Sequence, residues 1–155
     1  MNPTTDKIHA LSRAVIIDQE HILICKTMDL DPPFYFLPGG HIEHKESAEN
    51  AVLRELMEEA NTSAHIKRFL GVLEHSFTPG HNSICHDHEY NFYFEVESDA
   101  LKFPSNPKQT EKHISLHWIP MKDLDKIDLR PTPICALLSQ WLKDPITAKF
   151  HSEMI

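Results

Sequence analysis

Gly40-His41-Ile42-Glu43-His44-Lys45-Glu46-Ser47-Ala48-Glu49-Asn50-Ala51-Val52-Leu53-Arg54-Glu55-Leu56-Met57-Glu58-Glu59-Ala60-Asn61-Thr62 is the stretch on which the reading of this chain turns. Ser47 suits the N-cap of a helix running to about Ala60, with Glu46 and Glu49 at its positive end. Asn61 tolerates the left-handed backbone that ends such a helix. At about 100° per residue, Glu55, Glu58 and Glu59 fall within one arc. Leu53, Leu56, Met57 and Ala60 fall in another and are expected to serve the core, with Ala48, Ala51 and Val52 on the acidic side. Taken alone, this acidic arc weakens the helix. Like charges three or four residues apart each cost roughly 0.2–0.5 kcal/mol. Glu58 and Glu59 also lie near the negative end of the macrodipole, which costs roughly 0.3–1 kcal/mol more. A hard divalent cation would remove the conflict, because carboxylate oxygens are its preferred ligands. A merely solvated acidic face is the alternative, but the Gly-Gly turn upstream, Glu46 ahead of the helix and Arg54 beside the cluster form a frame that such a face does not need.

The spacing Gly40, five residues, Glu46, seven residues, Arg54-Glu55-Leu56, one residue, Glu58-Glu59 resembles the Nudix box. Asn61 and Thr62 depart from it, standing where the box has glycine and an aliphatic residue. Asn is the usual substitute for Gly at a left-handed position, so the helix exit should survive. Thr62 should loosen packing at most. Phe36-Leu37-Pro38-Gly39-Gly40 and His117-Trp118-Ile119-Pro120 also resemble family segments, so the likeness runs loosely from Ile8 to Lys143. It implies an α/β fold, an α/β/α sandwich around a mixed β-sheet, formed by residues 1–155 as a single domain. It implies a pyrophosphohydrolase that cleaves a nucleoside-diphosphate-linked substrate with Mg²⁺, or Mn²⁺ in its place. The metal ligands implied are the Gly39 carbonyl, Glu55, Glu58 and Glu59, with Glu111 as a further carboxylate from a later loop. The catalytic set is then Arg54, Glu55, Glu58, Glu59 and Glu111, with Arg54 orienting the glutamates and Glu46 supporting the loop. The base is Glu55, Glu111 or, third, Glu89. A homodimer is compatible with the family, though no residue here argues for it.

Working outward, Arg13-Ala14-Val15-Ile16-Ile17 and His21-Ile22-Leu23-Ile24-Cys25 read as strands of a hairpin turning at Asp18-Gln19-Glu20. Phe34 to Leu37 reads as a short strand stopped by Pro38-Gly39-Gly40. Strand-like runs follow at Ile66 to His75, Tyr90 to Val96 and Ile114 to Ile119, with Leu101 to Lys112 a loop. Helices are expected at Met121 to Ile127 and Pro133 to Leu142. Interspersed strands and helices indicate helices packed on the faces of a mixed sheet.

The net charge of −8 over 155 residues argues against a nucleic-acid polymer, which is met with basic stripes. A small anionic substrate remains compatible when a metal supplies positive charge. No apolar run spans a bilayer and the start lacks a signal-peptide pattern, so a cytoplasmic setting without membrane attachment is expected. Cys25, Cys85 and Cys135 have no C-x-x-C spacing, which argues against disulfides and structural zinc. His75, His81, His86 and His88 read as residues bordering the cleft or exposed, not as a dedicated zinc site. Phe34, Tyr35, Phe36, Phe77 and Tyr90 are aromatics of core type that could also stack a base. Pro79 lies near a position associated with ADP-ribose selectivity in the family, but the substrate stays open. The rival readings are a catalytically silent nucleotide-binding sensor and an isomerase of the same fold. The intact glutamate set argues against the sensor.

Overall fold

The structure, a computed structural model, describes residues 7–78, 86–108, 110–147 and 149–153. The first strand does not simply fold back on the next. β1 (Ile8–Val15) pairs in parallel with β7 (His88–Glu97) and antiparallel with β5 (Gly39–His41). Only its continuation β2 (Ile17–Asp18) forms the expected hairpin with β3 (His21–Thr27). Gln19 and Glu20 make that turn with φ of 48° and 61°, the positive values that a two-residue type I′ connection demands. The correction has a simple cause: apolar patterning shows which residues are buried, but not which of two sheets receives them.

Two sheets result. The larger has the order β5-β1-β7-β6-β9, with β6 (His65–Ser76) antiparallel to β7 and β9 (Lys149–Glu153) parallel to β6. In the smaller, β3 pairs antiparallel with β2, with β4 (Tyr35–Phe36) and with β8 (Ile114–Pro120). Pro38-Gly39-Gly40 does not end the chain's extended run, as the sequence suggested; it leads into the edge strand β5. β9 escaped sequence reading because Lys149-Phe150-His151-Ser152-Glu153 has no apolar alternation, and Phe150 remains 65% exposed. Met121–Lys126 is a 3-10 helix rather than an α-helix.

Alternate side chains of β1 and β3 enter opposite layers. Ala14, Leu23, Cys25 and Phe94 pack with Val52, Leu56 and Ala60 of α1 (Ala48–Ala60). Val15, Ile22, Ile24 and Tyr93 pack with Ile134, Leu138 and Trp141 of α2 (Ile134–Lys143). This is the expected α/β/α arrangement, with a mixed sheet and a second sheet between the helices. Among the described residues, no helix is long and apolar enough to cross a membrane.

The ends of α1 behave as the sequence foretold. The Ser47 side chain accepts from the Asn50 amide, and Asn61 takes φ 47° and ψ 46° while its N–H reaches the Met57 carbonyl. Thr62 is buried, and its hydroxyl meets that of Ser98 at 3.3 Å, so the polar substitution finds a partner. The inward face differs from expectation. Ala51, Val52, Leu56, Glu59 and Ala60 are buried, whereas Met57 is 47% exposed. The inward arc therefore contains a glutamate. It can do so because α1 lies against β5, where the Gly39 N–H donates to the Glu59 carboxyl at 3.0 Å.

Candidate active site

Each part of the box has a defined partner. Glu46 accepts from Arg54 Nε at 2.8 Å and Nη2 at 3.0 Å, and also from the Glu43 amide. These bonds, Arg54's first among them, hold the Glu46 carboxyl down at about 2. Arg54 Nη1 then donates to Glu55 at 3.0 Å and to Glu58 at 3.2 Å, while Nη2 also reaches the His41 carbonyl. One guanidinium thus ties the loop, the edge strand and two acidic side chains together. Its planar fork has five donors, which a lysine cannot reproduce. Arg54→Lys is expected to leave the fold intact and lower activity about 10–100-fold, the scale of groups that orient metal ligands. Wild-type turnover in that variant would remove Arg54 from the positioning role.

The three helix glutamates sit at graded depth. Glu58 is half exposed. Glu55 is mostly covered and presses on Gly40, where an added Cβ would meet Oε1 at 2.4 Å. Glu59 is buried and accepts from the Gly39 N–H at 3.0 Å. Burial raises the Glu55 carboxyl, opposed by Arg54 and aided by the charges of Glu58 and Glu111. Burial likewise pushes Glu59 up to about 8, against the Arg13 charge and the Gly39 N–H and with help from Glu55 and Glu111.

Glu111 therefore stands within electrostatic reach of Glu55 and Glu59. Its neighbour Thr110 explains the placement: the amide donates to the Glu59 carbonyl at 3.2 Å and the hydroxyl to the Glu58 carbonyl. The loop is thus tied to the last turn of α1. Glu89 is not part of this group. It is buried and accepts from His86 Nε2 and Asn91 Nδ2, both at 2.8 Å. Burial pushes its carboxyl up, but those two bonds and Arg13 outweigh it, so the group ends lowered.

Sequence reading missed Arg13, treating it as the start of a buried strand. Its Nη1 donates to the carbonyls of Leu37 at 3.2 Å and Gly39 at 3.0 Å, and Nε donates to Asn91 at 3.3 Å. A polar chain consequently runs from His86 through Glu89, Asn91 and Arg13 to the Gly39 carbonyl. The available signal was a cation inside an apolar run, which a core does not accept without partners. Arg13 also borders a cavity of about 700 Å³ lined by Phe34, Phe36, Phe77, His86, Glu89 and Arg130 among others. The Arg130 guanidinium lies 4.5 Å from the Phe34 ring centroid. Of the aromatics singled out from sequence, Phe34, Phe36 and Phe77 line this cavity. Pro79, His81 and Cys85 lie outside the described residues, and Cys25 and Cys135 are free thiols.

The donor set fits a hard divalent cation: three carboxylates of graded burial beside an edge-strand carbonyl offer only oxygen ligands. The lifted Glu59 carboxyl has a measurable consequence. The metal-free native state keeps a proton that the unfolded chain releases near 4.5. Its stabilising effect is complete below that value and is lost as pH rises through about 8. In EDTA, the melting temperature is therefore expected to fall across this window, with a flatter profile in Glu59→Gln. An unchanged profile in that variant would show that Glu59 does not set the slope.

Comparison with known proteins agrees with this geometry. The NUDIX domain family model matches residues 8–138. A Bacillus subtilis (strain 168) protein named for 8-oxo-dGTP diphosphatase activity is 37% identical over 60 residues, 39% of this chain and 39% of that protein's length. The MutT protein structure from Methanosarcina mazei Go1 superposes with a TM-score of 0.65 at 16% identity, covering 88% of this chain and 94% of that one. An ADP-ribose pyrophosphatase from Streptococcus suis 89-1591 does so with a TM-score of 0.61 at 15% identity, covering 94% and 98%. At such identities the structural likenesses speak for the fold, while the family match spans the box, the edge strand and both layers. The chain belongs to the NUDIX domain family.

Proposed function

We propose that the chain is a Nudix pyrophosphohydrolase, a divalent-metal-dependent enzyme cleaving the pyrophosphate linkage of a nucleoside-diphosphate-linked substrate. One observation carries the reading: Glu59 and Glu55 of α1 are held against Gly39 and Gly40, Arg54 ties Glu58 to Glu55, and Arg13 joins the Gly39 carbonyl to an aromatic cavity of nucleotide size. Glu55, Glu58, Glu59 and the Gly39 carbonyl would hold Mg²⁺ or Mn²⁺. When bound, the metal neutralises phosphoryl charge and lowers the pKa of coordinated water.

The chain's own residues divide the remaining work. Arg54, pinned by Glu46, orients Glu55 and Glu58. Glu111, on the loop tied to the end of α1, accepts the proton of the attacking water or adds a ligand. Glu55 is the alternative base. Glu89 is the weaker candidate, since both its oxygens already accept hydrogen bonds. Arg13 and Arg130 offer positive charge to an anionic substrate, and Phe34, Phe36 and Phe77 offer faces for a base. We further take residues 1–155 as one domain acting in the cytoplasm on a small nucleotide rather than a nucleic-acid polymer.

The test is phosphate or nucleoside-monophosphate release from a panel at about 5 mM Mg²⁺ and again with EDTA. The panel holds nucleoside triphosphates including 8-oxo-dGTP, ADP-ribose, nucleotide sugars and dinucleotides. Metal-dependent release from a panel member is expected. Silence across the panel with nucleotide binding intact would transfer the chain to the sensor class.

A further inference from the structure

We propose a second metal site, separate from the box glutamates, in which His9, His41 and His86 bind a borderline divalent cation of the Zn²⁺ class. The three residues are remote in sequence and converge through sheet pairing. His9 lies on β1 opposite Glu89 of β7, His41 lies on β5 opposite Leu11 of β1, and His86 immediately precedes β7. Because directly paired residues share a face and residues two apart on a strand share it too, His9, Leu11, His41 and Glu89 project to the same side.

The geometry there is that of a ligand cluster. One donor atom from each of the three imidazoles lies within 4.8 Å of the others. The His9 and His86 rings stack at 4.3 Å between centroids, and His41 meets them edge-on at 4.8 Å and 5.3 Å. Tetrahedral Zn–N bonds of about 2.0–2.1 Å place ligand nitrogens about 3.3 Å apart, so binding draws the donor atoms together and turns the stacked His9 and His86 rings until their nitrogens converge. The donor chemistry selects the metal. Imidazole nitrogens favour Zn²⁺, Ni²⁺, Cu²⁺ and Co²⁺ over Mg²⁺, the reverse of the all-oxygen box site.

Glu89 completes the pattern as an outer partner. Its Oε2 lies 2.8 Å from His86 Nε2 and its Oε1 accepts from Asn91. With Nε2 donating to the carboxylate, coordination would fall to Nδ1 of His86, the usual carboxylate–histidine–metal relay. His41 and His86 both line the aromatic cavity, so a coordination position facing it would be open to water or an anionic group of a cavity ligand. Of the described histidines clustered in sequence, only His86 takes part; its partners come from β1 and β5.

The test uses tag-free full-length protein titrated with Co²⁺ in excess Mg²⁺, reading the intense visible band of four- or five-coordinate cobalt. Zn²⁺ competition then gives the relative affinity. Wild type and Glu58→Gln are expected to show about one equivalent of the band, displaced by Zn²⁺. His9→Gln and His41→Gln, each checked for folding by circular dichroism, are expected to weaken it at least about tenfold, the loss typical of a missing ligand-shell group. His113→Gln, a substitution at a largely exposed histidine, serves as the control and should match wild type. No band in wild type, or an unchanged band in both His9→Gln and His41→Gln, would overturn the site. Loss of the band in Glu58→Gln alone would assign the cobalt to the box glutamates and equally overturn it.

Discussion

Glu58→Gln and Glu59→Gln are each expected to lower turnover by a factor on the order of 10²–10³ or more, the scale on which charge-stabilising groups act. The two should differ little from wild type in stability at neutral pH. Glu58 is half exposed, and losing its charge relieves repulsion with Glu55 while weakening one charge-assisted bond from Arg54. Such surface changes are usually worth no more than about 0.5 kcal/mol. Glu59 is buried with its carboxyl lifted to about 8, so a neutral amide of the same shape replaces a group already largely neutral in the metal-free protein. The experiment compares steady-state rates on the best panel substrate, Mg²⁺ titrations and thermal melts of both variants. Full activity in both would remove the carboxylates from the metal site.

Gly39→Ala and Gly40→Ala are adjacent substitutions with opposite expected outcomes. At Gly39 an added Cβ would lie 2.0 Å from the Ser12 carbonyl oxygen, with φ at 133°. Neither obstacle yields, because one is backbone of the neighbouring strand and the other is a conformation that side chains rarely adopt. Loss of roughly 3 kcal/mol or more, or failure to fold, is expected as β5 detaches from β1. At Gly40 the added Cβ meets the Glu55 carboxylate instead, at 2.4 Å from Oε1. A flexible side chain can swing away, so this variant should fold with a melting temperature near wild type. Its expected defect is functional: Glu55 moves from the other carboxylates, and Mg²⁺ dependence shifts to higher concentration. Denaturant melts and metal titrations separate the cases. Equal stability in both variants would show that the edge strand adapts more freely than its contacts with β1 allow.

The box helix was the most legible part of the chain. Its caps, the Arg54 frame and the three glutamates depend on spacings of a few residues, and a helix converts such spacings directly into geometry. Met57 shows the limit even here. The apolar arc alone made it a core residue, but α1 lies against β5, and the buried arc takes in Glu59, whose carboxyl the Gly39 N–H meets. Glu111 is a candidate because resemblance points to a carboxylate from a later loop; its approach to the glutamates rests on the Thr110 bonds to the end of α1, which no local pattern encodes.

By itself, then, the sequence determined the α1 caps, the spacing of the acidic cluster, most strand positions and the alternation that feeds two helical layers. These are consequences of short-range periodicity. Only the tertiary structure decided that β1 serves one sheet and β2 the other, and that Gly39 turns beneath Ser12. It alone brought Arg13, Asn91 and Glu89 into one polar chain and gathered His9, His41 and His86 at one edge. Those outcomes depend on strand pairing between segments tens of residues apart. Burial without a side-chain partner is costly enough to enforce such pairings, but it leaves no local trace by which to read them.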